Sequence, residues 1–131
     1  MPTKYGEYGM SENEAMSLNE IKLRLREFAE ARDWDQFHSP KNLSMALSAE
    51  VAEILEYFQW LTEKQSKSLP QNKLDEVEKE LADTLIYLIR LADKLNIDLL
   101  AAVKSKIELN EQRYPVDKAK GNSKKYTEFD K

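Results

Sequence analysis

The sequence carries 24 acidic residues, one histidine and no cysteine. Thiolate catalysis, Zn–Cys sites and two-histidine metal sites all lack their residues, so any metal or acid–base chemistry falls to carboxylates. These carboxylates come in a repeated pattern. Glu50-Val-Ala-Glu53-Ile-Leu-Glu-Tyr57 aligns without gaps to Glu80-Leu-Ala-Asp83-Thr-Leu-Ile-Tyr87, so acid, acid and tyrosine recur at i, i+3 and i+7, thirty residues apart. At about 100° per residue the three positions share one helix face. That face borders an apolar stripe, with Glu50 about 60° from the centre of its own and Glu80 placed similarly. Packing the two helices through their stripes would gather Glu50, Glu53, Glu80 and Asp83 at the rim of a core. Like charges that close disfavour one another's ionised forms, so such a group calls for a cation. All-oxygen ligation suits Mg²⁺ or Mn²⁺, and Mg²⁺ takes its remaining oxygens from water and substrate phosphates. The spacing predicts a phosphate-handling Mg²⁺ site.

A single Glu-x-x-Glu is usually a solvated face salt-bridged to Lys or Arg. Two in register, each followed by tyrosine and each beside an apolar stripe, depart from that pattern. A di-iron bundle also sets carboxylates inward, but it expects Glu-x-x-His on two helices. His38 is the sole histidine and no Glu precedes it by three, which removes that reading.

The elements that must position these acids are helical. Ser17-Leu-Asn-Glu20 has the form of a capping box, followed by Ile21, Leu25 and Phe28 at helical spacing. Ser39-Pro40 supplies an N-cap and a first-turn proline for a second helix. It runs to about Leu61 on Leu43, Leu47, Val51, Ile54, Leu55 and Phe58. Thr62 to Asn72, with Pro70, reads as a loop. A third helix follows from about Lys73 to Lys94 on Leu74, Val77, Leu81, Leu85, Leu88, Leu91 and Leu95. Asp98 caps a fourth, which buries Leu99, Val103 and Ile107 and is stopped by Pro115. No segment alternates with period two long enough for a strand. The expected fold is all-α, a four-helix, bundle-like single domain over residues 1–131, with a frayed arm over 1–16 and a polar tail over 116–131 that Tyr126 and Phe129 could dock.

Composition bounds the rest. At 131 residues, 41% hydrophobic and 34% charged, the chain has enough apolar residue for one core. No run approaches the ~18 apolar residues of a membrane span. Three Gly and four Pro are too few for a turn-rich β-sandwich or barrel. A net charge of −4 argues against nucleic-acid binding as the main activity. Met1 to Met10 contains Lys4 and Glu7 and no apolar run, so no secretory leader is expected and a cytoplasmic protein is.

Leu47-Ser-Ala-Glu50-Val-Ala-Glu53-Ile-Leu-Glu-Tyr-Phe-Gln-Trp60, with Glu80-Leu-Ala-Asp83-Thr-Leu-Ile-Tyr87, resembles the MazG-type all-α nucleoside triphosphate pyrophosphohydrolases, and most closely their dCTP pyrophosphatase branch. The likeness extends to Arg32-Asp-Trp34-Asp-Gln-Phe-His38-Ser-Pro40-Lys-Asn42 upstream and to Lys106-Ile-Glu-Leu-Asn110-Glu-Gln-Arg113-Tyr114-Pro115 and Lys124-Lys125-Tyr126-Thr127 downstream, about a hundred residues in all. The first acid of the broader family's Glu-Glu doublet is Ala49 here, a variation the dCTP branch shares. The resemblance implies hydrolysis of a nucleoside triphosphate, dCTP or a modified dCTP foremost, to the monophosphate and pyrophosphate. Glu50, Glu53, Glu80 and Asp83 would hold Mg²⁺, and one of them, or Glu56, would orient the attacking water. It also implies a base pocket of Trp34, His38, Trp60 and Tyr87. Lys106, Asn110 and Arg113, with Tyr114 beside them, would meet sugar and phosphates, and Lys124, Lys125 and Tyr126 would close over the phosphates, in a neighbouring subunit. Related enzymes assemble with sites between subunits, which implies a homotetramer, a dimer of dimers. Phe58, Ile86 and Ile89 extend apolar surface beyond one stripe in keeping with that. Two other readings stay open: the same chemistry on dUTP or a damaged nucleotide, and a non-catalytic helical interaction protein whose acidic face serves solubility.

Overall fold

The computed structural model describes residues 15–130, and the expected arm lies outside the described residues except for Ala15 and Met16. Helices α1 (Leu18–Ala31), α2 (Pro40–Phe58), α3 (Glu63–Ser66), α4 (Gln71–Lys94), α5 (Leu99–Arg113) and α6 (Val116–Ala119) follow in order, with 3-10 turns at Asp35–Phe37 and Tyr126–Glu128. No strand occurs among the described residues. The chain forms two compact units that part after Asn96.

The three expected caps are present. Ser17 accepts from the Glu20 amide, Ser39 from Asn42, with Pro40 at the first helical position, and Asp98 from Ala101. Each satisfies an orphan amide that the helix start leaves unpaired. Three boundaries differ from the sequence reading. Helix α2 stops at Phe58, not Leu61. The stretch read as a loop holds α3, fixed by a reciprocal capping box between Thr62 and Gln65. The tail is not merely solvated: α6 and the second 3-10 turn fold it back, and the rings of Tyr126 and Phe129 meet Tyr114 edge-on at 6.0 and 5.8 Å.

In the first unit α2 and α4 form an antiparallel pair, with α1 against α4. The end of α2 meets the start of α4, where the Lys73 ammonium lies 5.9 Å from the Tyr57 ring centre, and His38, two residues before α2, meets Arg90 near the end of α4. The packing line is displaced from the leucine stripes. Ala29, Leu43, Val77, Ile89 and Ala92 are buried, whereas Val51, Leu55, Leu81 and Leu85 are each about half exposed. Periodicity placed these four in the core; instead α2 and α4 approach along a line turned toward their acidic faces. Phe58 and Ile86 are half-buried and Ile89 buried, so the remaining apolar surface is the leucine stripe and not those three.

Candidate active site

Because α2 and α4 pack close to their acidic faces, the acids converge. Oxygens of Glu50, Glu80 and Asp83 lie within 4.8 Å of one another. Glu50 and Glu80 each bury one oxygen, Oε2, without a hydrogen-bond partner. An orphaned buried acceptor is costly unless something electropositive meets it. Glu53 is more exposed and joins through its neighbours. The neighbouring Glu80 carboxyl raises that of Glu53 above the ordinary range. For Glu50, the neighbouring Glu80 pulls downward, but burial and Glu53 together lift it. Glu80 is lifted by Glu50 and by burial against the opposing pull of Glu53. Three carboxylates crowd closely enough that each disfavours the others' ionised forms. The donor set, all oxygen with two unpartnered buried lone pairs, fits a hard divalent cation.

Trp34 is set by the way α1 ends. Asp33 takes a left-handed φ of 55°, while the Trp34 amide donates to the Ala29 carbonyl and the Asp33 amide to that of Glu30. This is the Schellman closure, with aspartate in the place that glycine usually holds. The Trp34 ring meets Phe28 edge-on at 5.5 Å and His38 at 6.4 Å. Tyr87, half-buried, lies one turn from Asp83 on the face of α4 that carries the acids. These three residues lie toward one end of the helix pair. Trp60, 86% exposed, lies at the other. Residues 38 and 60 flank α2, which separates them by about 30 Å along the axis. The two tryptophans of one chain therefore do not share a pocket.

In the second unit Lys106, Asn110 and Arg113 follow one face of α5, the first two exposed. The Arg113 guanidinium lies over the Tyr126 ring at 4.5 Å, Tyr114 is half-buried among Tyr126 and Phe129, and the Lys125 amide donates to Glu128. Glu56 is exposed on the outer side of α2.

The MazG-like family model matches residues 45–129, from the second turn of α2 into the tail. The chain belongs to the MazG-like family. Among curated relatives of this MazG-like chain, dCTP pyrophosphatase 1 of Mus musculus is 44% identical over 115 residues, covering 86% of this chain and 68% of that protein. Its counterpart in Homo sapiens is 43% identical with the same coverage. Among solved structures, a pyrophosphatase from Archaeoglobus fulgidus is similar with a TM-score of 0.71 and 41% identity, over 81% of this chain and 99% of that one.

Sequence reasoning missed one group. Arg90 is 3% exposed and donates to Asp35 at 3.2 Å and Asp93 at 3.4 Å, and it meets Nδ1 of His38 at 3.2 Å. Asp93 also takes a two-pronged contact from Arg26 of α1 at 2.6 and 3.1 Å, and Asp35 an ion pair from Lys94. Its spacing, three residues beyond Tyr87, puts it on the acidic face, but the sequence does not show its partners Asp35 and His38.

Proposed function

We propose that the protein is a Mg²⁺-dependent nucleoside triphosphate pyrophosphohydrolase that converts dCTP, or a 5-substituted dCTP, and water to the deoxynucleoside monophosphate and pyrophosphate. The observation that carries this reading is the carboxylate cluster on α2 and α4, with its two unpartnered buried oxygens, in a MazG-like chain whose curated relatives are dCTP pyrophosphatases. Glu50, Glu53, Glu80 and Asp83 are the proposed metal ligands; Mn²⁺ satisfies the same oxygen chemistry. A bound divalent cation would neutralise phosphate charge and lower the pKa of a coordinated water. The chain's own part would be to hold the α-phosphorus in line with the attacking water, with a carboxylate of the cluster accepting the water's proton. The bond from the α-phosphorus to the bridging oxygen breaks, and the leaving group is pyrophosphate, made of the β and γ phosphates.

Trp34, His38 and Tyr87 form the base side of the proposed pocket, flat rings for a base's π-face with polar groups at its edge. Trp60 is assigned to the same pocket of a neighbouring subunit, since its own Trp34 lies about 30 Å away along α2. This assignment needs a second subunit; a homotetramer built as a dimer of dimers is the proposed assembly, and the half-exposed leucine stripe supplies a surface for it. Lys106, Asn110, Arg113 and Tyr114 are assigned to sugar and phosphates, and Lys125 and Tyr126 to closure over them. Residues 1–131 act as one catalytic domain in this reading, consistent with a family match that runs through both units. A cytoplasmic setting follows from the substrate, and a chain without cysteine needs no oxidising compartment.

The test is pyrophosphate release from dCTP, dTTP, dUTP and dATP with Mg²⁺, for wild type and Trp34→Ala. The expected order puts dCTP first. The variant should lose about 1–3 kcal/mol of stacking, roughly five- to hundredfold, mainly in KM. Equal hydrolysis of dATP and dCTP, or no loss in the variant, would overturn the pocket assignment.

A further inference from the structure

The acidic face of α4 ends in a buried cation, and that cation touches the base side of the site. Arg90 is 3% exposed and its Nε is buried without a partner, so the guanidinium is held by its two terminal nitrogens. One of them reaches Asp93; the other lies 3.2 Å from both Asp35 Oδ1 and His38 Nδ1. Arginine carries donors and no acceptor. The Nδ1 that faces it must then accept, which leaves the imidazole neutral with its proton on Nε2.

We propose that Arg90 is a positioning residue for nucleotide recognition, which fixes His38 in the Nε2–H tautomer so that the base side of the pocket presents a hydrogen-bond donor. This rests on the pyrophosphohydrolase reading. Among the described residues, Arg90 and Lys94 of α4 oppose protonation of His38 and Asp35 of the 3-10 turn favours it. Burial and the Arg90 charge prevail and hold the imidazole below its ordinary pKa. The backbone is pinned alongside, because the Asn42 side chain donates to the Phe37 carbonyl and the His38 amide to that of Asp35. A fixed Nε2–H suits a base edge rich in acceptors. A pyrimidine with a carbonyl O2 and an unprotonated N3, as in cytosine, offers that edge.

Two measurements test the proposal on the full-length enzyme. Long-range ¹H–¹⁵N spectra of His38 in the nucleotide-free protein at neutral pH should give a pyridine-like Nδ1 and a pyrrole-like Nε2. A pyrrole-like Nδ1 would overturn the assignment whatever the enzyme hydrolyses. Kinetics then read the consequence. Arg90→Met should raise KM for dCTP about five- to tenfold, the scale of one lost hydrogen bond, with kcat within about twofold. Arg90→Lys, which keeps a cation and a donor, should recover most of the loss. In a His38→Gln background, whose amide supplies a donor without needing a tautomer, Arg90→Met should add little. Independent, multiplying losses in the double variant, or an equal fall of kcat and folded fraction in Arg90→Met with no change in KM, would reduce Arg90 to a structural role and overturn the proposal. A wild type inactive on every nucleotide would overturn the pyrophosphohydrolase reading and the recognition half with it, while the spectra still decide the tautomer.

Discussion

At the scale of single residues, the carboxylate cluster is a place where charge has been put against its own interest. Glu50, Glu53 and Glu80 all stand above their ordinary pKa because each crowds the others. A neutral amide keeps the shape of the side chain and removes the charge. Glu53→Gln and Asp83→Asn should each lower kcat/KM on the order of a hundred- to thousandfold, the scale for losing one charge-stabilising group. Neither should lower the melting temperature of the metal-free protein, since each relieves repulsion. Steady-state kinetics and a thermal melt of the same preparations check both halves; near-wild-type turnover in both variants would dissolve the proposed metal site. These residues were legible in the sequence because an acid pair repeated in register on two helices is a local pattern. Arg90 was not. An arginine inside Leu-Ile-Arg-Leu-Ala-Asp reads as the polar edge of a helix, and its partners Asp35 and His38 lie more than fifty residues earlier. Only the folded pairing of α4 with the turn before α2 brings them together.

At the scale of elements, the starts of α1, α2 and α5 are legible because capping is local: Ser17, Ser39 and Asp98 each bond an amide three residues on. The Ser17 box is half formed, since Glu20 donates its amide to Ser17 and the return contact is found instead at Thr62–Gln65. That second box was hidden by Pro70, which made the whole stretch look like a loop. The core was misplaced for a different reason. Period 3.6 tells which residues share a face and not which faces meet. Leu81 and Leu85 with Val51 and Leu55 form an apolar surface left half exposed between two helices. Covering such side chains contributes about 1–2 kcal/mol each. In the proposed tetramer this stripe is the subunit contact, so Leu81→Glu should shift the protein to a smaller species in sedimentation and lower activity with it. An unchanged sedimentation coefficient would remove the stripe from the interface.

At the scale of the whole molecule, the raised carboxylates make metal-free stability depend on pH with a definite sign. A carboxyl whose folded pKa exceeds its unfolded value contributes stability that is complete below the unfolded value and is lost as pH rises through the folded one. For Glu50, Glu53 and Glu80 the window opens at the ordinary 4.5 and extends upward. His38, held low, works in the opposite sense below 6.5, and Asp35 and Asp93, also held low, lose their contribution only below 3.8. Comparison with Glu53→Gln cancels those shared terms. Without metal, the variant should melt above wild type at pH 8 and the gap should close as pH falls toward 4.5. Added Mg²⁺ should raise the wild-type melt and leave the variant nearly unmoved, since a ligand that binds only the folded state stabilises it. A gap that widens on acidification would contradict the proposed crowding.

The central claim is a bond choice: cleavage between the α and β phosphates of a pyrimidine deoxynucleotide by a Mg²⁺-dependent site. Phosphorus NMR of dCTP incubated with the wild-type protein, with Mg²⁺ and with a chelator in its place, reads that choice directly. Equimolar dCMP and pyrophosphate are expected with Mg²⁺, and intact dCTP with the chelator. Formation of dCDP and inorganic phosphate, or turnover that persists without divalent metal, would contradict it.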